Sequence, residues 1–204
     1  MNRPGVVDVL VVDDSDFFVE VTADKLEDDH DIRTRTASDG TEALSVLSDR
    51  LADLVVSDYQ MPSMNGLELF RRVDEEFGLP FILLTGKGNE SIASEAIGAG
   101  VDDYLQKEAI IEEDQLGLLA NRIKNIVAQK RTREKYELLV DNTPEEIVEV
   151  ATDGEILAAN PAMATSQGME QSELLGIQLS DVLPSEIDRK STRLNSSHYR
   201  TSRM

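Results

Sequence analysis

Five polar residues stand where candidate strands end. Asp13 and Asp14 follow VDVLVV, Asp58 follows LVVS, Thr85 follows FILL, and Lys107 follows DYLQ. Carboxylates crowded together repel one another and raise each other's pKa unless something positive joins them. A hard divalent cation meets that need, and Mg2+ prefers a few carboxylates, waters and a phosphate oxygen. An Asp carboxylate is also a competent nucleophile toward phosphorus. With a lysine and a hydroxyl donor beside it, the set suits phosphoryl transfer onto a carboxylate, the cations neutralising the transferred group while one Asp attacks. An Asp after a strand is often only a helix N-cap, and Asp14, Ser15 or Asp16 would each serve. Strand-end features in order at domain spacing point beyond that.

For those residues to meet, the chain between them must form a layered scaffold. Val6–Val12 reads as a buried strand, and Asp16–Glu27 as a helix carrying Phe17, Phe18, Val21 and Leu26. Asp31–Thr36 is a weaker strand, followed by a helix bearing Ala43, Leu44 and Leu47. Leu54–Ser57 and Phe81–Leu84 are further buried strands, Asn65–Glu76 and Glu90–Ala99 further helices, and Asp103–Gln106 a short fifth strand. A longer helical pattern starts near Ile110. Such alternation predicts an α/β domain with a five-stranded parallel sheet covered by helices on both faces. Ligands then sit at the carboxyl ends of the strands, where all the polar residues above fall. No GxGxxG or GxxxxGK[ST] loop follows the first strand, which disfavours the usual nucleotide sites.

Composition narrows the field. The 204 residues carry 40 acidic against 20 basic side chains, a formal charge of -20, which argues against nucleic acid or anionic lipid as partner. The acidity is spread along the chain, as on a surface solvated in high salt. Cysteine is absent, excluding disulfides, thiolate metal sites and a cysteine nucleophile, and two histidines cannot build a histidine-rich metal site. No apolar run approaches the roughly 18 residues of a membrane span, and Met1–Gly5 is too short for a signal peptide, so the expected location is the cytoplasm. His30, within Asp28-Asp29-His30-Asp31, reads as a surface loop residue.

The stretches VLVVDDSDFF, VVSDYQMPSMNGLEL, FILLTGKG and VDDYLQK resemble the receiver domain of two-component response regulators, the CheY-like family. The resemblance covers about Val6 to Val127 and implies a flavodoxin-like (βα)5 fold. It implies that Asp58 accepts a phosphoryl group from a sensor histidine kinase or phosphotransfer protein. It also implies that Asp14 and Asp58 hold Mg2+ directly, Asp13 through water, and Gln60 through its main-chain carbonyl. Thr85 resembles the switch hydroxyl, Lys107 the lysine that pairs with the phosphoryl group, and Tyr104 the rotating aromatic. Gln60 and Lys87, two positions beyond Asp58 and Thr85, match the residues that tune the phosphoryl lifetime. Glu108 follows Lys107 where most receivers have proline, so a cis bond at that joint is not expected.

Residues 4–127 thus form the expected receiver and 128–140 a helical linker, with Gln129–Lys135 read as basic and solvated. Leu116, Leu119, Ile123 and Ile126 suit either packing on the receiver core or a short dimer seam. A homodimer through the linker helix, or through the face of the fourth helix, fifth strand and following helix, is the alternative partner. Beyond the linker, Ile147–Ala151 and Glu155–Ala158 flank a Thr152-Asp153-Gly154 turn, and Asn160-Pro161 opens a helical segment. With DNTP, ANPA and ELLG, residues 141–187 resemble the first part of a PAS domain, an incomplete α+β module whose lone hairpin has no sheet partners. Residues 188–204, with five basic residues against one acidic, resemble a translated sequencing adapter rather than a basic arm, so the natural output domain is expected to be missing.

The first competing reading is an Asp-nucleophile phosphatase of similar α/β fold, for which Asp14 and Asp16 have a suitable spacing. The long Asp58 motif and Lys107 argue against it. The second is a receiver-like scaffold that never carries phosphate, against which stand Asp14, Asp58, Thr85 and Lys107.

Overall fold

The computed structural model describes residues 6–49, 52–86, 90–107, 110 and 116–182. Val7–Val12 (β1), Leu54–Asp58 (β3) and Phe81–Thr85 (β4) are buried at every position, as strands covered on both faces must be. Ile32–Ala37 (β2) and Asp103–Gln106 (β5) lie at the edges of the sheet, and their exposed positions account for the weaker apolar pattern. The strands pair in parallel in the order β2-β1-β3-β4-β5. Helices Asp16–His30 (α1), Gly40–Asp49 (α2), Gly66–Phe77 (α3), Glu90–Ala99 (α4) and Leu116–Asp141 (α5) complete the alternation. The flavodoxin-like (βα)5 arrangement expected from the sequence is therefore present.

Strand periodicity divides the core in two. Val9, Val11, Val56, Ile82 and Leu84 pack with Phe18 and Leu26 of α1 and with Leu119 and Ile123 of α5. Their neighbours Leu10, Val12, Val55 and Leu83 pack on the other face with Leu47 of α2, Phe70 of α3 and Ala96 of α4. Because successive side chains alternate, one continuous apolar run per strand supplies both layers.

Several sequence expectations change in detail. α1 continues to His30, which closes the helix rather than lying in a loop, and Asp31 caps it in the left-handed region at φ 53°. β3 and β4 each extend by one residue, so Asp58 and Thr85 end their strands instead of following them. Leu116, Leu119 and Ile123 are buried in the receiver core, with Ile126 packed against it, so these residues form no free dimer seam. Nor are Lys130 and Arg131 merely solvated. The Lys130 ammonium donates to the Gly78 carbonyl, and Arg131 bonds Asp53 Oδ2 at 2.8 Å, tying this part of α5 to the receiver.

Contacts divide the chain between Thr132 and Arg133. In the second unit, Val148–Val150 (β6) and Ile156–Ala159 (β7) form an antiparallel hairpin, followed by Pro161–Gln167 (α6), Gln171–Leu174 (α7) and Leu179–Val182 (α8). Ile156, Met163, Ala164 and Leu174 make its core. The hairpin does have backbone partners: Ile156 N–H donates to Ile177 O, Gly176 N–H to Ile156 O, and Leu179 N–H to Gly154 O, each at 2.9 Å. The segment beyond Pro184, including the suspected non-native tail, lies outside the described residues.

Asn160 is the knot of this unit. Its side chain is almost wholly buried, and Oδ1 accepts from Ile147 N–H at 2.9 Å and Met163 N–H at 3.1 Å. Nδ2 donates to Val140 O at 3.1 Å and Glu145 O at 2.9 Å. One amide thereby caps α6 and pins the end of α5 to the strand that follows, using its full hydrogen-bonding capacity. Asn160→Leu, similar in size but without polar atoms, leaves four backbone groups to find other partners. The expected cost is about 3 kcal/mol within this unit. Hydrogen exchange on the full chain should show faster exchange in residues 145–182 while the receiver strands stay protected.

Candidate functional site

Strand register brings the polar residues together. Val12 pairs with Ser57, Asp58 with Leu84, and Thr85 with Gln106, so Asp13, Asp58, Thr85 and Lys107 come from neighbouring strand ends on one rim. Asp13 is completely buried, Asp58 and Thr85 nearly so, and Asp14 is exposed. The N-cap of α1 is Ser15, whose Oγ accepts from Phe18 N–H at 3.4 Å. Capping by Ser15 leaves Asp14 available for other chemistry.

Each buried carboxylate has one oxygen committed to the backbone and one turned to the lysine. Asp13 Oδ1 accepts from Ser15 N–H at 2.9 Å, and Asp58 Oδ1 from Tyr59 N–H at 2.9 Å. Lys107 Nζ lies 2.6 Å from Asp13 Oδ2 and 3.3 Å from Asp58 Oδ2. The pairing with Asp13 is close but poorly directed, and Asp13 Oδ2 has no regular hydrogen bond among the described residues. Burial pushes the Asp58 carboxyl above its usual range; Lys107 pulls the other way, and Asp13 adds to the rise. Burial disfavours the Lys107 ammonium, but Asp13 and Asp58 together outweigh it and raise the lysine.

Oxygens of Asp13, Asp14 and Asp58 lie within 4.8 Å of one another. A buried carboxylate oxygen without a well-directed donor, beside two further carboxylates, is a donor set that fits a hard divalent cation. Gln60 is exposed in the loop after β3, and Tyr104 is half-buried on β5 against the α2–α4 side of the core. Lys87 and the Lys107–Glu108 joint lie outside the described residues.

Two residues that sequence reasoning left without a role shape the site. Gly66 opens α3, and a Cβ there would stand 2.4 Å from the Asp58 carbonyl oxygen and 2.6 Å from Leu83 Cδ1. Its N–H donates to Tyr59 O at 2.9 Å, so α3 starts in direct contact with the backbone that carries Asp58. The signal was a glycine in the first turn of an otherwise well-formed helix, where it lowers helix propensity. Asn65 and Glu68 form a reciprocal capping box that fixes this start. The other residue is Phe18, whose ring lies beneath the Lys107 ammonium at 4.6 Å from its centroid.

Residues 9–117 match the response regulator receiver domain family, and residues 134–203 match the PAS fold. Among curated proteins, the chain is 38% identical over 128 residues to protein-glutamate methylesterase/protein-glutamine glutaminase 1 of Methanospirillum hungatei, covering 59% of this chain and 37% of that protein. It is 28% identical to the heme response regulator HssR of Staphylococcus epidermidis, over 67% of this chain and 58% of that one. The chain therefore spans well under two thirds of the length of either relative. A receiver domain structure from Clostridium thermocellum superposes with a TM-score of 0.55 at 26% identity, covering 62% of this chain and 98% of that one.

Two outcomes follow from the site's packing and charge. Gly66→Ala forces the start of α3 away from Asp58. The expected result is a loss of about 2–4 kcal/mol in receiver stability by denaturant unfolding, with weakened divalent-cation binding. Because the folded chain raises the pKa of Asp58, its contribution to stability is present below the ordinary carboxylate range and is lost as pH rises through the raised value. Without divalent cations, Asp58→Asn should accordingly melt a few degrees higher than the parent at neutral pH, the gap closing as the pH falls.

Proposed function

The chain belongs to the response regulator receiver family, and on that premise we propose that Asp58 is the phosphoacceptor of a two-component phosphorelay. The observation carrying this reading is the pairing of a buried strand-end carboxylate with Lys107, 3.3 Å away, inside a cluster of three carboxylates. The donor is a phosphohistidine on a sensor histidine kinase or a phosphotransfer protein. One Asp58 oxygen attacks phosphorus, the new O–P bond forming as the P–N bond breaks. The imidazole keeps the bonding pair and takes a proton, and Asp58 becomes an acyl phosphate.

Asp14 and Asp58 would hold Mg2+ directly, with Asp13 acting through water and the Gln60 carbonyl completing the protein ligands. When bound, Mg2+ supplies charge neutralisation for the oxygens of the transferring group. Lys107, already facing Asp58, pairs with the phosphoryl group once it is attached. The Thr85 hydroxyl, at the neighbouring strand end, moves to bond a phosphoryl oxygen. Tyr104 follows it inward, shifting the population of the α4-β5-α5 face. Gln60 and Lys87 tune the phosphoryl lifetime. Exposed Ile97 on α4 and Leu118 on α5 support a homodimer through that face. The receiver is then a signalling switch whose only chemistry is its own phosphorylation and dephosphorylation, with output linked to the PAS unit. No described helix is long and apolar enough to cross a membrane, in keeping with a cytoplasmic site of action.

Incubation of the full chain with acetyl phosphate and Mg2+ tests this reading. Electrophoresis that retards phosphoproteins should show a shifted band for the parent, and about a hundredfold less for Asp58→Asn. Equal labelling of the two proteins contradicts the proposal, as does multiple-turnover hydrolysis of phosphomonoesters.

A further inference from the structure

Phe17 and Phe18 are adjacent in the first turn of α1, yet Phe17 is 71% exposed whereas Phe18 is 5% exposed. Phe18 packs into the core with Val9 and Val11 of β1, Val56 of β3 and Leu84 of β4. Its ring stands 4.6 Å from the Lys107 ammonium, which at the same time lies 2.6 Å from Asp13 and 3.3 Å from Asp58. The lysine is thus held at three points: two carboxylates and one aromatic face.

The three contacts do not respond alike to a divalent cation. A cation drawn to Asp13, Asp14 and Asp58 competes with the ammonium for both of its carboxylates. It repels the ammonium as well. The ring, carrying no charge and bound to no metal, keeps its attraction for the ammonium. A mostly buried ring attracts a cation more strongly than an exposed one, because less water competes for it. We propose that Phe18 is a positioning residue for phosphoryl acceptance: its ring keeps Lys107 beside Asp58 while the carboxylates are engaged by the divalent cation. This deepens the phosphoacceptor reading and rests on it. Without the ring, the flexible four-carbon chain of lysine is free to carry its ammonium to water as soon as the carboxylates are taken.

The test uses the full chain with Phe18→Leu, and with pentafluorophenylalanine placed at position 18. The second keeps the ring's shape but reverses the charge distribution of its face, so it separates electrostatics from packing and serves where Phe18→Leu fails to fold. Three quantities are read: the proton shifts of the Lys107 ε-methylene without metal, the Mg2+ dissociation constant, and the labelling rate with acetyl phosphate at saturating Mg2+. In the parent, the Lys107 ε-protons should lie upfield, because the ammonium they adjoin stands over the ring. Both changes should slow labelling by roughly tenfold, within the strength of a partly desolvated cation–π contact. Mg2+ affinity should stay within about twofold of the parent's. Fluorinated protein that labels at the parental rate overturns the proposal. So does a parallel loss of Mg2+ affinity and rate in both variants, which marks a packing defect. Failure of the phosphoacceptor reading is separately visible, because the parent itself would then not be labelled. In that case the ε-proton shifts still decide whether the ring holds the lysine.

Discussion

Two carboxylates forced together at the ends of β1 and β3 are tolerable only because a cation stands between them. Asp13 and Asp58 are both buried, and Lys107 reaches each of them from the end of β5. In a medium less polarisable than water, their mutual repulsion would otherwise drive one of them to bind a proton. Burial, with a smaller push from Asp13, raises the Asp58 carboxyl, and Lys107 offsets part of that rise. Three carboxylates with oxygens within 4.8 Å of one another leave the site room for further positive charge. A divalent cation and then a phosphoryl group with its own counter-charges are the additions such a site can accept.

Holding this arrangement takes much of the surrounding local structure. Register between the inner strands sets which residues share the rim. Ser15 caps α1 and so relieves the neighbouring aspartates of that duty. Gly66 lets α3 begin against the Asp58 carbonyl, a contact no side chain larger than hydrogen permits. Phe18 fills the core below and presents its ring to the lysine above. Each device is local, but all converge on the placement of one carboxylate and one ammonium.

Much of this was legible in the sequence, for a physical reason. Strands covered on both faces must be continuously apolar, so polar residues at their ends stand out, as Asp13, Asp58 and Thr85 do at β1, β3 and β4. β2 was harder because an edge strand alternates and carries exposed positions. What stayed hidden depends on partners remote in the chain. Arg131 meets Asp53, 78 residues away, and Lys130 meets Gly78, so a stretch that reads as solvated is tethered. Asn160 announces a helix start, but its bonds to Val140 and Glu145 arise only when the unit folds. The Gly176–Leu179 segment carries no strand pattern, since it offers backbone groups rather than alternating side chains to the hairpin. Gly66 lay within a motif already singled out; its role needed the distance to Asp58.

The proposed switch rests on one residue-specific event: an acyl phosphate formed on Asp58. Borohydride reduces an acyl phosphate on aspartate to homoserine, so phosphorylation by a partner kinase leaves a permanent mark in the chain. Reduction of the phosphorylated protein followed by peptide mass spectrometry locates that phosphate. Homoserine is expected at position 58, with unchanged aspartate at positions 13, 14 and 16. Homoserine at position 14 or 16, with Asp58 intact, would contradict it.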